Sequence, residues 1–194
     1  MTRASRGLKL SDILVTVLIA VVFAIIYNVW NFVYDFSKIS GLHVEEIVYG
    51  MWFMAAVVAY LIIPKPGIAI LAEFAAGAGE TIVMGRFDVP TMIYGLLQGI
   101  ACEVIFLIFR YKSRSAAVAM LAGLMAAIIT LPLDFAYGYL NELSGWNLTL
   151  YIVFRLIGGL LVAGLLSYYI VKALDQTGVT KLFRPASKKD YDNL

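Results

Sequence analysis

The sequence predicts an all-α membrane protein with six transmembrane helices, and three observations carry this prediction. Of its 194 residues, 62% are hydrophobic and 14% are charged, which leaves too little polar surface to cover a soluble domain of this size. Six apolar runs have lengths close to those needed to cross a bilayer, which are ~20 residues. Short polar or proline-containing segments separate these runs. We therefore expect one integral membrane domain over residues 1–194.

The apolar runs predict helices at residues 11–35, 47–63, 67–85, 90–111, 115–138 and 148–173. The first run is longer than the ~7–15 residues of a signal-peptide core, so it indicates a permanent helix. Between the second and third runs, Pro64-Lys65-Pro66-Gly67 predicts a turn that neither helix can pass through. Residues 174–194 are polar and predict a cytoplasmic tail.

The distribution of Lys and Arg predicts the orientation, because short cytoplasmic loops carry the excess of basic residues. Lys38 and Arg86 lie on one side of the predicted helices, and Arg155 lies inside the sixth helix. The other side holds twelve basic residues: Arg3, Arg6, Lys9, Lys65, Arg110, Lys112, Arg114, Lys172, Lys181, Arg184, Lys188 and Lys189. We therefore expect both termini to be cytoplasmic in a multi-pass protein of a prokaryotic plasma membrane.

The residue inventory excludes several function classes. His43 is the only histidine and Cys102 the only cysteine, which removes most histidine- or cysteine-based metal sites and catalytic triads. The sequence has no G-x-x-x-x-G-K-[ST] motif for ATP binding. Its net charge of +2 gives no basic face for nucleic acid. We expect no cofactor, no metal site, no catalytic residues and no nucleic-acid partner.

Polar residues within the predicted helices indicate a ligand pocket. A charge in hydrocarbon costs at least ~2.5–3.5 kcal/mol, so each one needs a partner or a purpose. Every helix places polar or aromatic side chains in the outer half of the membrane. The candidate substrate-binding residues are Asn28, Asn31, Tyr49, Trp52, Glu80, Gln98, Asp134 and Arg155.

Other interpretations of these residues remain open. Asp134 and Arg155 can instead form a structural ion pair, and tyrosine or tryptophan can simply occupy the membrane interface. Glu73 shares a helix face with Glu80 but lies ~10 Å deeper, which suits it less to the same ligand. Glu103, nearer the cytoplasm, fits a structural role.

The chain resembles the substrate-binding S components of energy-coupling factor (ECF) vitamin transporters, and specifically the YkoE type. The resemblance covers about residues 45 to 180. Its motifs are Tyr49-Gly50-Met51-Trp52-Phe53, Pro64-Lys65-Pro66-Gly67, Glu80 before a glycine-containing loop, Gln98-Gly99-x-x-x-Glu103 and Arg155-Leu156-Ile157-x-Gly159. The resemblance implies a bundle of the S-component type that binds thiamine or its hydroxymethylpyrimidine precursor and has no enzymatic activity.

The resemblance also implies partners, namely a transmembrane coupling subunit and cytoplasmic ATPases. In such proteins a pair of small residues in helix one, here Ala20 and Ala24, meets the coupling subunit. Those alanines fall on the same helical arc as Asn28 and Asn31. Either helix one bends, or one of the two assignments is wrong.

Three other functions remain open from the sequence. The chain could be an S component for another small vitamin. It could be an intramembrane enzyme that uses two carboxylates, such as Glu73 and Asp134, as an acid–base pair. A stand-alone channel or carrier would need charges along both halves of the membrane, and the inner half offers few.

Overall fold

A computed structural model describes residues 7–143, 145–178 and 180. The helices are α1 (Leu10–Ser37), α2 (Glu45–Val48), α3 (Met54–Ile62), α4 (Ile68–Val83), α5 (Val89–Ile108), α6 (Ala116–Ala136), α7 (Trp146–Gly158) and α8 (Ser167–Thr177). A 3₁₀ segment, Tyr49–Phe53, joins α2 to α3, and a π-helical segment, Gly159–Leu166, joins α7 to α8. The described residues thus form six rods, as the apolar runs predict.

Five of the six rods are long and apolar enough to cross a membrane, within the part of the chain that the structure describes. The exception is α4, which has 16 residues and rises only about 24 Å at 1.5 Å per residue. Its length is limited at both ends by glycines with left-handed backbone, Gly67 (φ 85°) and Gly85 (φ 68°). The shortest rod is also the one that carries Glu73 and Glu80.

Some helix bounds differ from the prediction, for local reasons. The rod formed by α2 and α3 begins at Glu45 rather than at residue 47, so Glu46 lies in a helix and not in a loop. Helix α5 ends at Ile108 because Arg110 and Tyr111 both adopt positive φ. The last rod continues to Thr177. The predicted tail beyond residue 178, except for residue 180, lies outside the described residues.

Helix α3 forms the centre of the bundle. Each residue from Met54 to Ile62 is at most 6% exposed. By contrast, α1 presents an apolar face to the outside with the spacing of one helix side. This face consists of Leu14, Leu18, Val21, Ile25, Val29 and Phe32, each at least half exposed. Such a face fits contact with lipid, because lipid removes the cost of exposing it.

Glycines allow the rods to approach closely. A Cβ atom on Gly99 of α5 would lie 2.9 Å from the Cα of Ile70 on α4. One on Gly123 of α6 would lie 2.1 Å from the carbonyl oxygen of Gly159. The small residues that the sequence offers are therefore used for packing within the chain.

Candidate ligand-binding site

The predicted outer end of the bundle contains two adjoining cavities. The first, here called the deep cavity, measures about 170 Å³ and lies between α1, α4 and α5 beside the 3₁₀ segment. The second, here called the mouth cavity, measures about 570 Å³ and is lined partly by the outer loops. Five residues line both cavities: Tyr34, Tyr49, Arg86, Thr91 and Tyr94. The two cavities are therefore direct neighbours.

Glu80 lines the deep cavity and is only 3% exposed. Its Oε1 atom accepts two hydrogen bonds, from Asn31 Nδ2 at 2.9 Å and from Trp52 Nε1 at 3.2 Å. Its Oε2 atom accepts no hydrogen bond from any residue that the structure describes. One acceptor of a buried carboxylate thus remains available to a ligand.

Gln98 reaches the same cavity from α5 and is also 3% exposed. Its amide can donate two hydrogen bonds and accept two, yet none of the described residues makes a hydrogen bond with it. The amide atoms of Gln98 are not fully buried, so they remain accessible from the cavity. A ligand that both donates and accepts would supply the missing partners.

Glu73 lines the deep cavity together with Glu80, although its greater depth made it a weaker candidate for the same ligand in the sequence. Both of its oxygens are occupied. Oε1 accepts from the Tyr27 hydroxyl at 2.9 Å, and Oε2 accepts from the Ala56 backbone N–H at 2.8 Å. Ala55 N–H donates to the same Tyr27 oxygen at 3.0 Å. Glu73 and Tyr27 thereby cap the unpaired N–H groups at the start of α3.

An aromatic cluster forms one wall of the deep cavity. The Trp52 ring lies 5.2 Å from that of Tyr49 and 5.4 Å from that of Tyr34, measured between centroids. These separations are typical of stabilising tilted and edge-to-face pairs. Tyr49 and Trp52 are predicted site residues, whereas Tyr34 was missed. Its position three residues after Asn31 on α1 is the signal that could have found it.

Arg155 is 1% exposed and sits in a network of charged and polar groups behind this wall. Its Nε donates to Glu46 Oε2 at 2.5 Å, and its Nη1 lies 3.2 Å from Asp134 Oδ2. The guanidinium also donates to Thr130 Oγ1 at 2.9 Å and to Tyr151 Oη at 2.5 Å. The ion pair of Arg155 with Asp134, left open by the sequence, is present, and Glu46 is a further partner that the sequence assigned to a loop.

Asp134 has little remaining capacity for a ligand. Besides Arg155, it accepts hydrogen bonds from the hydroxyls of Tyr94 at 2.7 Å and Tyr151 at 3.1 Å. Asp134 and Arg155 line the mouth cavity but not the deep cavity. These two residues therefore lie apart from Glu80 and Gln98. All four have a similar depth in the membrane, but they line different sides of the bundle.

Asn28 lies outside the candidate site. It is half-buried, it lines neither cavity, and its carbonyl oxygen is 3.4 Å from Asn31 Nδ2. Of the eight predicted substrate-binding residues, five meet in the deep cavity: Asn31, Tyr49, Trp52, Glu80 and Gln98. Asn31 and Asn28 share one arc of α1, but only Asn31 lines the deep cavity.

Ala20 and Ala24 are 1% and 3% exposed, so the chain itself covers both side chains. A Cβ atom on Gly79 of α4 would lie 2.7 Å from the Cβ of Ala24, which makes this a close helix crossing. The expected contact with a coupling subunit does not fit this arrangement. The same side of α1 presents Asn31 to Glu80 and packs both alanines inside the chain.

Glu103 has the structural role expected of it. Its carboxylate accepts hydrogen bonds from Gly67 N–H at 2.6 Å, Ala69 N–H at 3.1 Å and the Tyr111 hydroxyl at 2.8 Å. It therefore neutralises the positive N-terminal end of α4 from the neighbouring helix.

Asp88 begins α5 at the rim of the mouth cavity. Thr91 donates to Asp88 Oδ2 from its hydroxyl and from its backbone N–H, the latter at 3.0 Å. These hydrogen bonds hold the pKa of Asp88 below its usual value. The rim therefore carries a negative charge at neutral pH.

Comparisons with known proteins agree on a transport role. Residues 11–129 match the model of the family described as the permease component of an ABC-type cobalt transport system. The chain is 34% identical over 176 residues to YkoE of Bacillus subtilis (strain 168), named an HMP/thiamine permease protein. That match covers 90% of this chain and 88% of YkoE.

A solved structure gives the fold independently. The crystal structure of an S component of an ECF transporter superposes with a TM-score of 0.83 and 31% sequence identity. The match covers 90% of this chain and 89% of that one. This chain accordingly belongs to the S components of ECF transporters, which are multi-pass subunits of the prokaryotic plasma membrane.

Proposed function

We propose that this S component binds thiamine or its hydroxymethylpyrimidine precursor (HMP) in the deep cavity. The observation that carries the proposal is the pair of unused polar groups there. Glu80 Oε2 and the Gln98 amide have no partner among the described residues, and both side chains are 3% exposed. The aminopyrimidine that thiamine and HMP share has an amino donor and ring-nitrogen acceptors. A carboxylate oxygen and an amide match this pattern.

The volume of the deep cavity supports the binding of one six-membered ring. Its volume of about 170 Å³ is close to the ~150 Å³ that accommodates a benzene molecule in an engineered protein cavity. Trp52 and Tyr49 offer aromatic surfaces beside it. A pyrimidine between these surfaces and Glu80 would use stacking and hydrogen bonding together.

The charge of the outer half favours a cation. Five buried acids, Glu45, Glu46, Glu73, Glu80 and Asp134, lie there against one buried base, Arg155, so the outer half is negative if all of them are ionised. Thiamine carries a permanent positive charge on its thiazolium ring. Aromatic side chains add a further attraction for such a cation of ~0.5–2 kcal/mol.

The names of the related proteins point to different cargo, and the site favours one of them. YkoE is named for HMP and thiamine, whereas the family description names cobalt. A bound cobalt ion would call for several nitrogen, oxygen or sulfur ligands in one cluster. The described residues contain no group of three or more His, Cys, Asp or Glu side chains that could hold a metal ion. Aromatic walls and an amide suit an organic ring better.

Transport by this subunit would require partners. Membership of the S components supports assembly with a transmembrane coupling subunit and cytoplasmic ATPases, in line with the missing ATP-binding motif. The relatives are transporter components and not enzymes. In addition, an acid–base pair of Glu73 and Asp134 does not fit the structure. The two carboxylates line different cavities, and each accepts hydrogen bonds from the protein.

Calorimetry on the purified chain tests the proposal, with thiamine, HMP and Co²⁺ as ligands. We expect thiamine and HMP to bind and Co²⁺ not to bind. Glu80→Gln should weaken thiamine binding at least ~10-fold, which corresponds to ~1.4 kcal/mol. The amide replaces one carboxylate oxygen with an NH2 group, which cannot accept a hydrogen bond from the ligand. Glu142→Gln, in an exposed outer loop, should change it little.

Two results would count against this assignment. Binding of Co²⁺ without binding of either organic ligand would move the cargo to a metal ion. Equal thiamine affinities for the wild type and Glu80→Gln would remove Glu80 from the site. Binding of a different vitamin in place of thiamine would keep the function and replace its substrate.

A further inference from the structure

We infer that the mouth cavity is a cation subsite anchored by Glu45, which takes the thiazolium ring of thiamine while the deep cavity takes the pyrimidine. This inference rests on the proposed function and adds a specificity residue to it. Glu45 then distinguishes thiamine from HMP, which has no thiazolium ring.

The sizes of the two cavities require a division of the ligand. The deep cavity, at about 170 Å³, holds about one six-membered ring by comparison with a ~150 Å³ cavity that binds benzene. Thiamine has two rings joined by one methylene group. Its second ring must therefore enter the adjoining mouth cavity, which has about 570 Å³ and shares Tyr49 and Tyr94 with the deep cavity.

Glu45 is the carboxylate of the mouth cavity whose charge is least compensated. The residue is 9% exposed, and its Oε1 lies 3.3 Å from His43 Nδ1. Its Oε2 is buried and receives no hydrogen bond from the residues in the described ranges. A buried carboxylate without full compensation is costly. A cation in the cavity would lower this cost through its electric field, without direct contact with the buried Oε2.

Two of the other acids of the mouth cavity, Glu46 and Asp134, are engaged at both oxygens. Glu46 accepts from Tyr34 and Arg155, one at each oxygen. Asp134 accepts at both oxygens as well, from Tyr94 and Tyr151. Asp88 uses one oxygen to cap α5 through Thr91.

The overall charge of the mouth cavity also suits a cation. It is lined by the acids Glu45, Glu46, Asp88 and Asp134 and by the bases Lys38, Arg86 and Arg155. With all of these ionised, the lining is negative by one charge, apart from His43. Lys38 is further neutralised by Asp35, whose Oδ1 lies 2.8 Å from its Nζ. A cation would therefore reduce the excess negative charge of this cavity.

Calorimetry with three ligands on the full chain tests the inference. The ligands are thiamine, HMP and 3-deazathiamine, in which an uncharged thiophene replaces the thiazolium ring. For Glu45→Gln we expect thiamine affinity to fall ~10-fold, with HMP and deazathiamine affinities within ~2-fold of the wild-type values. The preference of the wild type for thiamine over deazathiamine should thus largely disappear.

A second variant changes the net charge of the mouth cavity and leaves Glu45 in place. Asp88→Asn keeps the helix cap, because Asn and Asp cap about equally well, and it removes one negative charge from the cavity. We expect a smaller loss that is again specific to thiamine. If Glu45→Gln fails to fold, as judged by size-exclusion chromatography and HMP binding, this variant decides.

Each remaining outcome has a defined meaning. Equal losses for all three ligands, or no loss for thiamine in either variant, would overturn the cation subsite while leaving the proposed function intact. Failure of the wild type to bind both thiamine and HMP would instead refute the proposed function itself.

Discussion

The guanidinium carbon of Arg155 lies 3.5 Å from the centroid of the Tyr49 ring. A fully buried charge is therefore in direct contact with the aromatic wall of the deep cavity. Since the same arginine bonds Glu46 on α2 and Thr130 on α6, the wall is fixed to an ionic network that joins three rods. The network supports the site and does not itself line the deep cavity.

Removing the charge of Arg155 should destabilise the protein strongly. In Arg155→Met, Glu46 and Asp134 would be left as buried acids without their cation, a type of change that costs about 3–5 kcal/mol. Thermal unfolding in detergent would measure this as a large fall in Tm. The matched control is Lys38→Met, because the pair of Lys38 with Asp35 is exposed and such pairs contribute only ~0–1 kcal/mol. Equal Tm values for both variants would show that the network is dispensable.

Gln98→Leu should separate ligand affinity from stability. No described residue hydrogen-bonds the Gln98 amide, so the leucine removes no hydrogen bond within the protein and Tm should stay within a few degrees of the wild-type value. Affinity for both thiamine and HMP should fall ~10-fold or more, since both ligands share the pyrimidine. Calorimetry and thermal unfolding on one preparation would check this. A large fall in Tm with unchanged affinity would assign Gln98 to packing.

Ala24→Trp should damage the isolated chain and not only its assembly. The indole has no room beside Gly79, so it would push α1 away from α4 and displace Asn31 from Glu80. We expect lower Tm and at least ~10-fold weaker thiamine binding without any partner subunit.

Val21→Trp is the control for this variant, because Val21 lies on the lipid-facing side of α1 and is 52% exposed. It should leave binding unchanged. If Ala24→Trp binds thiamine normally but abolishes uptake in cells, the alanine pair contacts the coupling subunit as the sequence resemblance implied.

Cysteine labelling tests the predicted orientation. In a Cys102→Ala background, single cysteines at Lys38, Arg86 or Asn147 should react with an impermeant maleimide on intact cells. Cysteines at Lys65 or Arg114 should react only after the membrane is opened. The reverse pattern would invert the protein and place the mouth cavity in the cytoplasm.

The sequence predicts this fold well because a bilayer crossing needs a long apolar run, which is visible without any tertiary information. Depth along each helix is equally accessible, at ~1.5 Å per residue, and it correctly groups Asn31, Trp52 and Gln98 at one level. Rotation about each helix axis depends on packing. For this reason Asp134 and Arg155 share that level yet face another cavity.

Two further residues show where pattern reading stops. Glu46 looks like part of a polar loop, and only its partner Arg155, 109 residues later, makes it a buried helical residue. Ala20 and Ala24 have the four-residue spacing of a helix–helix interface. Ala24, however, packs against Gly79 of the same chain. In both cases a long-range partner decides the role, and neither partner is adjacent in sequence.

The π-helical segment Gly159–Leu166 changes the repeat by which the last rod contacts the bundle. The buried residues of the last rod include a series at every fourth position, namely Tyr151, Arg155, Gly159, Ala163, Ser167 and Val171. In a pure α-helix each such step would rotate the contact line by about 40°, and five steps by about 200°. Wider π turns offset much of this drift, so a single straight seam runs the length of the rod. Arg155 and Val171, near the two ends of the rod, therefore both face the bundle.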